Sequence, residues 1–205
     1  MKTKDKILLA AKEIYTQNGY NNTTTRDIAK HLSISPGNLH YHFTHSEQII
    51  KALFEEFSLQ MNELLIRTSL SESTSVELFY NYISETTNLF YEYRFIFINF
   101  TDILKENPEI RLIYKEIHSR RRIEFENLFE DFKKKKIFKQ DIPDFILQNL
   151  VDQMFIIGDS ALSYNEVSHN FQGKEAIDYY TKIFFNQFYY LFTEEHQKQL
   201  EIRLK

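Results

Sequence analysis

The chain of 205 residues contains no cysteine and no tryptophan, and only four glycines and three prolines. Without cysteine it cannot form disulfides, thiolate zinc sites or a cysteine nucleophile. A β-sandwich or a repeated βα fold of this length would need more turn residues than these few glycines and prolines provide. Together with apolar residues that recur every three or four positions, these absences predict an all-α fold.

Long hydrophobic runs are also missing. No apolar stretch approaches the roughly 20 residues that a membrane-spanning helix needs. The N-terminus carries mixed charge, and the apolar run over residues 7–11 is shorter than the apolar segment of a secretory signal. We therefore expect a cytoplasmic protein without a membrane partner. Four glycines also cannot build the phosphate-binding or dinucleotide-binding loops of common enzymes, so we expect no enzymatic activity.

The charge is unevenly distributed along the chain. The formal net charge is −4, yet residues 1–50 sum to +2 and hold four of the seven histidines. Positive charge at one end favours an anionic partner there. His40 and His42 lie two positions apart on a predicted helix and point to different faces, and no carboxylate pair completes a ligand spacing. We therefore expect no metal site and no cofactor.

Capping signals mark the first helices. Thr24-x-x-Asp27 is a variant of the capping box that starts a helix, and Ser35-Pro36 provides an N-cap followed by proline at the first helical position. Apolar spacing predicts a first helix before them, a long fourth helix after them and five more helices further on. The predicted ranges for the first helix and the last five are 4–18, 76–92, 94–105, 108–134, 143–166 and 174–202.

Residues 25–43 have the pattern of a helix-turn-helix. Ala29 supplies the small residue that lets two helices cross closely, and Ile34 supplies an apolar residue in the turn. Leu39 and Phe43 supply apolar anchors for the second helix. In such a unit the second helix projects its N-terminal residues into the major groove of DNA.

The stretches 24–29, 34–43 and Ser46-Glu47 strongly resemble the DNA-binding domain of the tetracycline-repressor (TetR) family, and the resemblance covers about the first 55 residues. It implies an N-terminal three-helix helix-turn-helix domain, here termed the head (residues 1–47). A long helix would join it to a larger helical ligand-binding and dimerisation domain, here termed the body (residues 48–205). The implied function is a sequence-specific transcriptional repressor, a homodimer that a small-molecule ligand releases from a palindromic operator.

Chemistry and the resemblance together predict the DNA contacts. Thr24 and Thr25 lie at a helix N-terminus, which suits a phosphate, and Arg26 can contact a phosphate or a guanine edge. Gly37 allows close backbone approach, and Asn38 can contact an adenine edge or a phosphate. The full predicted set is Thr24, Thr25, Arg26, Ser35, Pro36, Gly37, Asn38, His40, Tyr41 and His42.

Three residues depart from the usual pattern. Ser33 occupies the turn where many helix-turn-helix units have glycine, and His40 and Ser46 replace a tyrosine and a lysine that commonly touch phosphates in the family. These replacements leave open a helical interaction module that does not bind DNA. The added histidines also suggest the hypothesis that DNA binding depends on pH.

The last two predicted helices are apolar over a wide arc, as helices that bury two faces are. By the resemblance they form the dimer interface, and ordinary intramolecular core is the alternative. The predicted interface residues are Leu150, Met154, Ile157, Phe184, Phe188 and Leu191.

Aromatic residues are abundant, with 19 phenylalanines and 13 tyrosines. Rings between residues 76 and 160 predict a pocket for a hydrophobic or aromatic effector, with ordinary core again the alternative. The predicted pocket residues are Phe90, Tyr91, Phe95, Phe97, Phe100, Tyr114, Phe125 and Phe155. The basic runs 120–122 and 133–136 are predicted to be a solvated face and a loop.

Overall fold

The computed structural model describes residues 2–69 and 75–204. Within these ranges the chain forms only helices and one isolated β-bridge, which confirms the all-α prediction, and no helix there is long and apolar enough to cross a bilayer. The helices are α1 (Thr3–Asn18), α2 (Thr25–His31), α3 (Pro36–His42), α4 (Ser46–Ser69), α5 (Val76–Glu92), α6 (Arg94–Ile98), α7 (Phe100–Glu106), α8 (Pro108–Lys134), α9 (Asp144–Ser168), α10 (Gly173–Asn186) and α11 (Glu194–Leu204), with a short 3-10 helix at Tyr189–Leu191.

The capping signals set the starts of α2 and α3 as predicted. The backbone N–H of Asp27 donates to Thr24 Oγ1 at 3.3 Å, and the Thr24 N–H donates back to the Asp27 carboxylate at 2.9 Å. At α3 the Asn38 N–H donates to Ser35 Oγ at 3.1 Å, with Pro36 as the first helical residue. Each short helix therefore begins where a side chain satisfies an otherwise free backbone N–H.

Helix α4 connects the head to the body. Its first turns bury Ile49, Ile50 and Leu53 in the same apolar cluster as α1, α2 and α3. Further along the same helix, Phe57 packs against rings of the body, with its ring centroid 5.2 Å from that of Phe97 in α6. This first core cluster runs without interruption from the head into α6, α7 and the start of α8.

A second core cluster fills the other end of the body, between α5, α8, α9 and α10. Many of its members are phenylalanine rings, which pack in edge-to-face, tilted and stacked pairs. The ring of Phe79 in α5 lies 4.8 Å from that of Phe188 and 5.3 Å from that of Phe132 in α8. The helices of the body are therefore held together by two separate core clusters, and a space remains where the clusters meet.

Two predicted helices are each interrupted. The helix predicted over 94–105 is divided at Asn99 into α6 and α7, and the Asn99 side-chain amide donates to the Phe95 carbonyl at 3.1 Å. Asparagine side chains compete with helical hydrogen bonds in this way.

The helix predicted over 174–202 is likewise wrong as a single helix. It ends at Asn186 because the following backbone pairs with the loop after α8. The Thr193 N–H donates to the Ile137 carbonyl at 3.0 Å, and the Lys139 N–H donates to the Leu191 carbonyl at 2.9 Å. Thr193 followed by two glutamates is a helix-start signal that predicts this second start.

Candidate DNA interface and internal cavity

Helix α3 is held on the head by one face and presents the other outward. Leu39 and Phe43 are buried, at 1% and 4% exposure, whereas the Tyr41 side chain is 85% exposed. Of the ten predicted DNA-contact residues, Thr25 and His42 are half-buried and the other eight are exposed. The structure therefore brings the predicted residues of α2 and α3 to the surface of the head.

One of the ten residues has a competing role. The Thr24 hydroxyl donates to the Asp27 carboxylate at 2.6 Å while also capping α2. These hydrogen bonds hold the pKa of the exposed Asp27 carboxyl below its usual value, because they stabilise the charged form. Thr24 was expected to bind a phosphate, but its N–H and its hydroxyl both donate to the Asp27 carboxylate within the cap. Thr25 and Arg26 remain at the start of α2 without this constraint.

The turn between α2 and α3 has a left-handed residue. Ser33 has φ of 54°, a region that glycine adopts without penalty and serine does not. The conformation lets the Ile34 N–H reach the Ala29 carbonyl at 3.0 Å and turns the chain towards α3. Ser33 therefore adopts the turn geometry that glycine usually provides, and its backbone is strained as a result.

The body encloses a cavity of about 100 Å³ where the two core clusters meet. Its walls come from seven helices, α4 to α10, and are almost entirely apolar. Gly158 of α9 makes room for two of its rings, because a Cβ there would lie 3.3 Å from Phe184 and 3.6 Å from Phe90. The lining residues are Phe54, Phe57, Met61, Tyr82, Ile83, Thr86, Thr87, Phe90, Phe97, Phe100, Tyr114, Ile117, Arg121, Phe125, Met154, Phe155, Gly158, Asp159, Ala161, Leu162, Tyr180 and Phe184.

Six of the eight predicted pocket residues line this cavity, namely Phe90, Phe97, Phe100, Tyr114, Phe125 and Phe155. The other two lie elsewhere. Phe95 points to the head, with its ring 5.6 Å from that of Tyr15. Tyr91 is at the outer side of α5, where its hydroxyl accepts from the Gly173 N–H at 2.6 Å. Successive side chains of a helix point in different directions, with a period of 3.6 residues, so aromatic content alone could not separate these two from the rest.

A carboxyl group that sequence reasoning missed lies in the cavity wall. Asp159 of α9 accepts a hydrogen bond from the Tyr114 hydroxyl of α8. Burial raises the pKa of Asp159 to about 6, because the charged form loses its hydration. Burial and the neighbouring carboxylate also raise the pKa of Tyr114, which keeps that hydroxyl protonated as the donor.

The prediction that residues 120–122 form a solvated face is wrong for Arg121. Its side chain is 3% exposed and lines the cavity. One terminal nitrogen pairs with Glu124 at 2.7 Å, and the other donates to Asn62 Oδ1 of α4 at 2.9 Å. Its Nε is buried and has no hydrogen-bond partner in the part of the chain that the structure describes.

The six predicted dimer residues do not form one outer face. Leu150, Met154 and Phe188 are buried inside this chain, and the prediction has to be revised for them because they pack in the second core cluster. Ile157, Phe184 and Leu191 are half-buried, and Phe184 lines the cavity with Met154. The exposed apolar residues of α9 are instead Phe145, Ile146, Ile156, Tyr164 and Val167.

Two family models match almost the whole chain. Residues 7–53 match the model described as bacterial regulatory proteins of the tetR family. Residues 56–200 match the model described as a bacterial transcriptional repressor, TetR. The first match covers α1 to α3 and the start of α4, and the second covers the helices that enclose the cavity.

Individual relatives agree with these models. The chain is 37% identical to the transcriptional regulator QacR of Staphylococcus aureus over 110 residues, which is 52% of this chain and 58% of QacR. It is 30% identical to IcaR of the same species, a negative transcriptional regulator of the biofilm operon icaADBC, over 40% of this chain and 44% of IcaR. The matches thus span about half the length of these curated relatives.

One solved structure is similar to this chain over nearly its whole length. A TetR-family transcriptional regulator from Marinobacter aquaeolei VT8 superposes with a TM-score of 0.85 over 99% of this chain and 98% of that chain, at 24% identity. This likeness shows that the helices of head and body follow a known arrangement.

Proposed function

The chain belongs to the TetR family of bacterial transcriptional regulators, and from this premise we propose that it is a cytoplasmic repressor. In this proposal a homodimer binds a palindromic operator and leaves it when a small molecule enters the cavity of the body. No catalytic step is involved.

The outward face of α3 carries the DNA-binding part of the proposal. Asn38 and Tyr41 project from the helix while Leu39 and Phe43 anchor it, so polar side chains are free to reach base edges and phosphates. Seven helical residues make few base contacts. Two heads about 34–36 Å apart would bind successive major grooves and combine their binding energies.

The exposed face of α9 supports a second copy of this chain as the dimer partner. Phe145, Ile156, Tyr164 and Val167 are between 55% and 84% exposed and are spaced along one helix. Exposed apolar side chains in such a row favour burial against another surface. A twofold axis beside α9 would bring the same residues of two copies together, as a closed dimer requires.

The position of the cavity supports control by a ligand. Its walls include Phe57 of α4, the helix that begins in the head, and Phe97 of α6, the helix that packs on α1. A cavity of about 100 Å³ is smaller than the roughly 300 Å³ at which typical ligand sites begin. A drug-sized effector must therefore displace these walls, and α4 and α6 would transmit the displacement to the head.

Selection of DNA from a random duplex pool tests the DNA-binding part. We expect enrichment of a palindrome with half-sites about one helical turn apart. Arg26→Ala should weaken binding and reduce the slope of log affinity against log salt by about one, because one phosphate contact is lost. Arg111→Ala, which removes an exposed arginine of the body, is the matched control. Sequence-independent binding alone, or none, would favour the interaction-module alternative.

A further inference from the structure

The buried guanidinium of Arg121 is incompletely hydrogen-bonded. Arg121 lines the cavity; Glu124 and Asn62 occupy its two terminal nitrogens, but its Nε–H has no acceptor among the described residues. The Thr86 hydroxyl of α5 is buried in the same wall beside Tyr82 and is a second donor there. A buried donor without an acceptor costs about 1–3 kcal/mol, so such groups are rare unless something else satisfies them.

The charge around Arg121 is on balance positive. Asn62 Oδ1 accepts from Arg120 at 2.7 Å as well as from Arg121, whereas among the described residues only Glu124 supplies a carboxylate to Arg121. An incoming acceptor, neutral or anionic, is therefore favoured at this end of the cavity, and a cation is disfavoured.

The carboxyl of Asp159 lies at a different point of the wall. Its partner Tyr114 is seven residues before Arg121 on α8, which corresponds to about 10 Å along a helix. Asp159 also lines an open surface cleft, together with Lys105 and Arg111. Asp159 thus already has a hydrogen-bond donor, Tyr114, without any ligand.

We propose that the effector is an apolar or aromatic molecule with a carbonyl or carboxylate group, and that Arg121 Nε and the Thr86 hydroxyl bind that group. The proposal rests on the proposed function in taking the cavity as the effector site. The aromatic walls hold the body of the molecule, and the two donors set its orientation.

Three probes of one size distinguish the chemistries: benzoate, benzamide and benzylamine. Each combines one ring with an anionic acceptor, a neutral acceptor or a cation. A cavity of about 100 Å³ is smaller than the roughly 150 Å³ of one known to take a benzene ring, so each single-ring probe has to displace the walls slightly. Their dissociation constants would be measured by calorimetric or NMR titration of the full chain. We expect an acceptor probe to bind about tenfold or more tighter than benzylamine. Tighter binding of benzoate than benzamide identifies a carboxylate effector, and the reverse identifies a carbonyl.

Two variants test the donors. Arg121→Lys keeps a cation for Glu124 but removes Nε, and Thr86→Val removes the hydroxyl at constant shape. Each should weaken the acceptor probes, Arg121→Lys by about tenfold and Thr86→Val several-fold. Thr181→Val is the matched control, because it removes a buried hydroxyl that also has no hydrogen-bond partner among the described residues but does not line the cavity; it should leave these affinities within about twofold.

The proposal is overturned if benzylamine binds tightest, if neither acceptor probe binds saturably, or if both donor variants bind as the unmodified chain does. Parallel titration of an operator-bound sample separates this outcome from failure of the proposed function. Acceptor probes that bind through Arg121 without releasing DNA would disprove control by the cavity while leaving the site intact. Release that is insensitive to both donor variants would disprove the site alone.

Discussion

The ring of Tyr15 in α1 lies 5.6 Å from the ring of Phe95 in α6, and this contact joins the head to the body. Both side chains are 1% exposed. Two residues after Phe95 on the same short helix, Phe97 forms part of the cavity wall. The cavity and the first helix of the head are therefore separated by a single five-residue helix.

A double-mutant cycle on this pair measures how strongly head and body are coupled. Tyr15→Leu and Phe95→Leu keep apolar bulk but remove the ring contact. We expect an interaction free energy of about 0.5–1.5 kcal/mol, the range for buried aromatic pairs, from urea unfolding of the two single variants and the double variant.

The matched control combines Tyr15→Leu with Phe138→Leu. Tyr15 and Phe138 belong to different core clusters, so their effects should add within about 0.5 kcal/mol. An additive Tyr15–Phe95 pair would show that the ring contact does not couple the two parts.

Asp159 should make the folded chain less stable as pH rises. Its pKa is about 6 when folded, above the ordinary value of 3.8, because burial penalises the charged form. The unfolded chain loses this proton at lower pH than the folded chain does. Stability therefore falls between pH about 4 and about 6 and stays level above that, with a total cost of about 2–3 kcal/mol.

Thermal unfolding of the wild-type and Asp159→Asn chains across pH 4–8 checks this expectation. The difference between the two curves should grow up to pH about 6, with the variant more stable at pH 7, since the asparagine can still accept from Tyr114. Asp102→Asn, at an exposed carboxylate paired with Lys105, is the control for the loss of one carboxylate outside the cavity. A constant difference between wild type and Asp159→Asn would contradict the prediction.

Ser33→Gly should stabilise the head by up to about 1 kcal/mol. Its φ of 54° strains a serine but not a glycine, and the greater freedom of glycine in the unfolded chain offsets part of the gain. Chemical denaturation measures the difference. Ser33→Ala keeps the strain and should give no gain, so equal stability of the glycine and alanine variants would argue against strain at this turn.

Ile156→Glu should weaken dimerisation at least about tenfold, because a buried carboxylate in an apolar interface loses its hydration. Ile156 is 66% exposed in the single chain. Ile123 of α8 is 60% exposed, so Ile123→Glu is a control for the same change away from the proposed interface. Sedimentation equilibrium at micromolar concentration would measure the shift from dimer to monomer. If both variants become monomeric, or if neither does, α9 is not the dimer interface.

Much of the head could be predicted from local sequence. The caps at Thr24 and Ser35 act within four residues of chain, so the starts of α2 and α3 follow from residue types alone. The cavity was predicted less completely. Six rings were identified, but Arg121 was assigned to solvent, because an arginine beside two others is usually exposed.

The sequence by itself determined the helical class, the helix-turn-helix and the family, because helix caps, apolar spacing and small residues act over short distances. Only the tertiary structure decided which face of each body helix is inside. Leu150 and Phe188 are in the core, whereas Ile156 is exposed, although all three are apolar residues on neighbouring elements. That choice depends on how α6, α8 and α10 pack around α9, which no single helix specifies.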